Sequence, residues 1–210
     1  MLKVENLSAS YQTVNGDIHV LKDLNFTIND NEIFGIAGES GCGKTTLLKT
    51  LYDIVEFPLV IDQGKVIFSG EKNGQKFSFE SGDIRKTWWN NISYVPQAAQ
   101  SVLNPIVRLK QQFLDSIPKE DRKNETEQET LARVGKYLEE LSLSPDVLEA
   151  FPFQLSGGMR QRVIIALATF MGPRLVLADE PTTALDVVVQ RGILMMLTHL
   201  QKQLKNTMVI

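Results

Sequence analysis

Apolar and polar residues alternate at two places near the start of the chain. Leu2 and Val4 flank Lys3, and Leu24, Phe26 and Ile28 alternate with Asn25 and Thr27. A period of two sends every second side chain to the same face, so both stretches predict half-buried strands. Asn29, Asp30, Asn31 and Glu32 read as the turn that ends the second. Short, mostly apolar stretches then occur at 33–37, 92–95, 175–178 and from 207 onward. Short runs without alternation predict strands covered on both faces, as in a parallel sheet.

Helical patterns lie between these runs. One is expected from Lys44 to Val55, directly after a glycine-rich loop. Leu131, Val134, Leu138 and Leu141 fall on one helical face among charged residues. Ser144 and Pro145 offer a capping hydroxyl and a first-turn proline for a short helix. Ser156 caps a stronger helix carrying Met159, Val163 and Leu167 at spacings of four, which Gly172 and Pro173 stop. Residues 64–79 read as a β-hairpin with Gly70 and Gly74 near its turn. Strands alternating with helices predict an α/β fold around a parallel sheet. Residues 98–157 break the alternation with helices alone and read as a helical insert.

Composition narrows the class. The chain has 210 residues, 43% of them hydrophobic, which suits one sizeable globular domain. A net charge of −3 argues against a nucleic-acid binder, which usually carries a basic excess. The single cysteine, Cys42, excludes an intramolecular disulfide and suits a reducing compartment. No apolar run reaches the roughly 18 residues that a membrane span needs, and the N-terminal residues lack the apolar core of a secretory signal. Any tie to a membrane is therefore expected to run through a partner.

The glycine-rich loop carries the first chemistry. Gly38, Glu39, Ser40, Gly41, Cys42, Gly43, Lys44 and Thr45 fit the pattern G-x-x-x-x-G-K-[ST] between a buried strand and a helix. The glycines let successive N–H groups turn toward phosphate oxygens, and the helix start adds partial positive charge. Lys44 is expected to reach the β- and γ-phosphates and Thr45 to offer its hydroxyl to Mg²⁺, with Thr46 next to it. Cys42 sits at an unconstrained position of the pattern. It reads as a backbone contributor, with a reactive thiol as the alternative. The loop alone says no more than nucleoside triphosphate.

Leu155, Ser156, Gly157, Gly158, Met159, Arg160, Gln161 and Arg162 sharpen this. The stretch resembles the LSGGQ signature of the ATP-binding-cassette (ABC) ATPases. That resemblance extends over nearly the whole chain and implies a P-loop core with a parallel sheet, an antiparallel β subdomain and a helical subdomain. The chain is then one nucleotide-binding domain, 1–210, with its core in 1–97 and 158–210 and the helical part in 98–157. Physically, Ser156, Gly157 and Gly158 open a second anion-binding helix start, and in the family this start closes over the ATP of a second protomer. The resemblance therefore implies a head-to-tail pair of ATPase subunits, the same or different, holding ATP and Mg²⁺ between them.

The other family motifs follow in order. Leu175 to Asp179 and Glu180 resemble Walker B, which implies that Asp179 holds Mg²⁺, mainly through water, and that Glu180 polarises the attacking water. Gln97 matches the Q-loop glutamine that reaches Mg²⁺ and the water. Ala184, Leu185 and Asp186 match the D-loop that meets the opposite protomer. Tyr11 resembles the aromatic that stacks on adenine; the alternative is a strand residue packed in the core. Trp88 and Trp89 read as adjacent strand residues pointing to opposite faces, at most one of them in the core. Plain packing is the default reading for the other, with docking of a permease helix as the alternative.

Within the family, residues 101–105 and 158–166 look like the peptide/nickel importer branch, whose members usually carry an acidic residue where this chain has Ala98. The resemblance implies an ATPase that powers uptake of a peptide or similar solute from the cytoplasmic face of the membrane, through permease subunits served by an extracytoplasmic solute-binding protein. The alternatives are a non-transport ABC ATPase of DNA repair or ribosomes, and a nucleotide-sensing module. The family also carries a switch histidine at the end of the strand that begins here at Asn206. His199 falls mid-helix and His19 precedes the second strand, so both read as structural or solvent-exposed. The chain is accordingly expected to be C-terminally truncated, binding Mg·ATP but hydrolysing it weakly.

Overall fold

The computed structural model describes residues 1–72, 75–97, 102–118 and 125–210. Gly74, Ala98 and Ser101 therefore lie outside the described residues. Two four-stranded sheets organise the chain. The first is antiparallel, in the order β2-β1-β4-β5, and is built from Leu2–Thr13 (β1), Gly16–Ile28 (β2), Leu59–Lys72 (β4) and Gln75–Glu80 (β5). The second has the order β3-β8-β7-β6 and pairs Ile33–Phe34 (β3), Thr207–Val209 (β8), Leu175–Ala178 (β7) and Ile92–Val95 (β6) in parallel.

The parallel sheet separates two apolar cores, and its alternation assigns residues to each. Leu175, Leu177, Ile92 and Val209 face a core shared with the antiparallel sheet and helix α1, Lys44–Leu51. Val176, Ala178, Val95 and Met208 face the other core. There they meet helices α2 (Leu109–Ser116), α3 (Glu127–Glu140), α4 (Gly157–Thr169) and α5 (Val187–Leu204). All four residues of β7 are buried, so the apolar run at 175–178 reflects cover on both faces.

The helical caps follow the sequence. Ser156 Oγ accepts from Met159 N–H at 3.3 Å, and Thr126 with Glu129 forms a capping box on α3. Val134 and Leu138 on α3 are fully buried, as their spacing predicts. The segment opened by Ser144 and Pro145 is a short 3₁₀ turn, Pro145–Glu149.

Four expectations need correction. The run 33–37 is not a strand covered on both faces. Only Ile33 and Phe34 pair regularly, at the edge of the sheet, and Ile33 is exposed. Helix α1 stops at Leu51 rather than Val55, because Asp53 takes φ 66° and turns the chain. Ile54 N–H then reaches Lys49 C=O at 2.9 Å and Asp53 N–H reaches Thr50 C=O at 3.2 Å, the paired bonds of a Schellman ending. Gly70 lies within β4 opposite Phe77 rather than at the hairpin turn. Trp88 and Trp89 are not in a strand: Trp88 ends a 3₁₀ turn, and Trp89 has φ 68° just before β6.

Candidate functional site

Strand β3 leads into the glycine-rich loop, and α1 leads out of it. Gly43 caps α1 with φ 101°, a conformation that costs an L side chain, and a Cβ there would lie 2.8 Å from Val20 Cγ1. The loop thus packs directly on β2. Lys44 folds back over it, donating from Nζ to the carbonyls of Gly38 at 2.9 Å and Glu39 at 3.0 Å. Cys42 is exposed, and its N–H donates to Glu39 C=O.

Parallel pairing of β6 with β7 sets the opposite wall, since Val95 pairs with Ala178 and places Gln97 beside Asp179 and Glu180. Asp179 is 1% exposed and both of its carboxylate oxygens are held. Thr45 Oγ1 donates to Oδ1 at 3.1 Å, and the Tyr94 hydroxyl donates to Oδ2 at 2.9 Å. Burial, and then the adjacent Asp179 charge, push the Tyr94 phenol well above its ordinary pKa, so it stays a donor.

Glu180 stands at the strand tip with φ 46°. Its Oε2 accepts from Gln97 Nε2 and from Thr183 Oγ1, each at 2.9 Å, and Lys44 Nζ lies 3.4 Å from Oε1. The Thr183 hydrogen bond chiefly, with Lys44 and Gln97 assisting, holds this carboxyl below the usual range.

These groups border a cleft of about 240 Å³ lined by Tyr11, Val20, Ser40, Gly41, Gly43, Lys44, Thr45, Thr46, Gln97 and Glu180. Tyr11 is half-buried on β1, and its hydroxyl shares a hydrogen bond with Thr46 Oγ1 at 3.2 Å. The ring is therefore placed at the mouth of the loop rather than in the core centre.

The donor set suits a hard cation. Thr45, Gln97 and Asp179 offer oxygens, and among the described residues no group of three or more His, Cys, Asp or Glu is placed to hold a metal ion. Mg²⁺ is commonly held in this way, by one or two protein oxygens with water and substrate phosphates making up the rest.

Ser156, Gly157, Gly158 and Asp186 do not line the cleft. They form a second surface feature. Asp186 Oδ1 caps α5 by accepting from Val189 N–H at 3.0 Å, and a Cβ on Gly158 would come within 2.9 Å of Val189 Cγ1. The starts of α4 and α5 therefore touch. His199 is exposed in mid-α5, and His19 Nδ1 lies 3.4 Å from Asp62, a partner distant in sequence.

Sequence reasoning missed two residues. Thr183 had a usable signal, a hydroxyl three positions after the carboxylate in a proline-led turn. Tyr94 gave none, because an aromatic in a four-residue buried strand reads as core.

Comparison with known proteins gives a consistent picture. The family model described as ABC transporter matches residues 21–183. The dipeptide transport ATP-binding protein DppD of Caldanaerobacter subterraneus is 34% identical over 210 residues, covering the whole chain and 63% of that protein. The oligopeptide transport ATP-binding protein OppD of Escherichia coli is 33% identical over 214 residues, covering the whole chain and 61% of that protein. The chain thus spans about three fifths of the length of these curated relatives. The ATP-binding cassette MJ0796, solved as a dimer in a post-hydrolysis state with ADP and Pi, superposes with a TM-score of 0.78 at 28% identity. That match covers the whole chain and 86% of the MJ0796 chain.

Proposed function

The chain belongs to the ABC transporter family, and from that premise we propose that it binds and hydrolyses ATP to drive solute import through partner permeases. The carrying observation is the cleft that gathers Lys44, Thr45, Gln97 and Glu180 beside the buried Asp179. The names of the relatives favour a peptide or similar solute, and favour transport over DNA repair or nucleotide sensing.

In this reading Tyr11 stacks on adenine while the N–H groups of residues 38–45 and the start of α1 take the phosphates. Lys44 exchanges the carbonyls of Gly38 and Glu39 for phosphate oxygens. Thr45, Gln97 and Asp179 hold Mg²⁺, which when bound neutralises charge developing on the β- and γ-phosphate oxygens. Glu180, kept ionised by its neighbours, orients the attacking water through the carboxylate that Gln97 and Thr183 now occupy.

Ser156, Gly157, Gly158 and Asp186 are not part of this cleft's lining, which suits a head-to-tail pair in which they complete the partner's site. Among the described residues no helix is long and apolar enough to cross a membrane. In this reading permease subunits hold the domain at the cytoplasmic face of the membrane.

Glu180→Gln tests the reading. It should keep ATP binding, lower hydrolysis by about 10²-fold or more, and accumulate an ATP-dependent dimer by size-exclusion chromatography with light scattering. Hydrolysis at the wild-type rate in that variant would overturn the role given to Glu180.

A further inference from the structure

Tyr94 is tied to more than one carboxylate oxygen. Its ring stacks on Tyr52 with centroids 5.3 Å apart, and Tyr52 stacks on Trp88 at 4.6 Å with the planes 1° from parallel. Trp88 is fixed in turn, donating from Nε1 to Tyr52 C=O at 2.8 Å. Tyr52 is itself buried at the C-terminal end of α1. Three rings thus hold the Tyr94 hydroxyl at one place, and that place is 2.9 Å from Asp179 Oδ2.

We propose that Tyr94 is a positioning residue for the metal-binding carboxylate, acting through its hydroxyl on Asp179. This rests on the assignment of Asp179 to Mg²⁺ made above. A carboxylate has about four lone-pair sites, two on each oxygen. Thr45 occupies one on Oδ1 and Tyr94 one on Oδ2, which fixes the carboxylate plane and leaves one acceptor site on each oxygen. A Thr45 hydroxyl bound to a cation through its own oxygen still carries the proton that it donates to Oδ1. Tyr94 makes the matching restraint on the other oxygen. Without it the carboxylate turns about the single Thr45 bond, and the free acceptor sites no longer point where metal-bound water needs them.

The test measures MANT-ATP affinity by fluorescence, first in EDTA and then across a Mg²⁺ titration, for wild type, Tyr94→Phe and Asp179→Asn. Tyr94→Phe keeps the ring and the stack and removes only the hydroxyl. It should leave affinity in EDTA within about 2-fold of wild type while raising the half-saturating Mg²⁺ concentration by about 10-fold or more. A merely structural role would move both readings or neither. Tyr94→Met, which keeps the bulk without a donor, should give the same metal shift and serves if the phenylalanine variant fails to fold. A shifted Asp179→Asn beside an unmoved Tyr94→Phe would overturn the positioning role alone. If neither variant shifts, the assignment of Asp179 to the metal falls as well.

Discussion

The side-chain amide of Gln97 and the carboxylate of Glu180 sit 2.9 Å apart although 83 residues separate them. Thr183 reaches the same oxygen from the turn that follows β7, so the Glu180 carboxylate is gripped from both walls of the cleft. A phosphate entering the cleft would draw Lys44 away from Oε1 and the loop carbonyls, and the remaining grip would depend on Thr183 and Gln97.

The depressed pKa of Glu180 gives this a pH signature. Ionised Glu180 is favoured in the folded chain, chiefly by Thr183, so the network's contribution is present above the ordinary carboxylate range. It is lost as pH falls through the lowered folded value. Thr183→Ala should move the carboxyl titration of Glu180 upward, read by ¹³C NMR of glutamate-labelled protein with Glu180→Gln assigning the signal. An unmoved midpoint would mean that Thr183 does not set it.

Asp53 makes a second test, of stability rather than chemistry. The residue is 2% exposed, and its side chain accepts from the N–H groups of Gly82 and Arg85 and lies 3.7 Å from Arg85 Nε. Asp53→Ala removes the charged acceptor of two backbone N–H groups and should cost about 1.5–3 kcal/mol. A thermal melt should fall by roughly 3–12 °C for a domain of this size. Asp53→Asn keeps one acceptor oxygen and should lose less; equal losses would place the effect in the backbone turn instead of the hydrogen bonds.

Gly158 separates two opposing effects. Alanine is favoured over glycine by about 1 kcal/mol inside a helix. At Gly158, though, the new methyl would lie 2.9 Å from the stiff, β-branched Val189. Overpacking costs about 1–3 kcal/mol, so Gly158→Ala should be destabilising in urea unfolding. Adding Val189→Ala should restore part of the loss. A stabilised single variant would show that α4 and α5 can part at no cost.

Much of this architecture was legible because one local rule covered each piece. Strands β6 and β7 announced themselves as mostly apolar stretches, α3 by its period, α4 by period and cap, and the loop by its spacing. The antiparallel strands were only half visible. Register shifts between Val4 and Leu7 and again up to Ser10 break the alternation, so β1 read as a few residues instead of its full length. The end of α1 depends on the buried acceptor role of Asp53, which a helical pattern cannot reveal. Within the site, Lys44 and Thr45 are nominated by the spacing of the loop, and Gln97, Asp179 and Glu180 by the resemblance to the ABC ATPases. The bond from Tyr94 to Asp179 spans 85 residues and is created by the pairing of two strands, so no local window contains it.

The stacked rings beneath Tyr94 make the site a closed circuit. Starting at Thr45, the path runs along α1 to Tyr52, across the ring faces to Tyr94, through its hydroxyl to Asp179, and back by hydrogen bond to Thr45. One side of that circuit is a helix of eight residues, a strut of about 12 Å whose length cannot be tuned continuously. The gauge of the proposed nucleotide seat is therefore quantised. Inserting or deleting a single residue in α1 would rotate Tyr52 by about 100° and open the circuit, whereas the loop at its other end could keep its sequence unchanged.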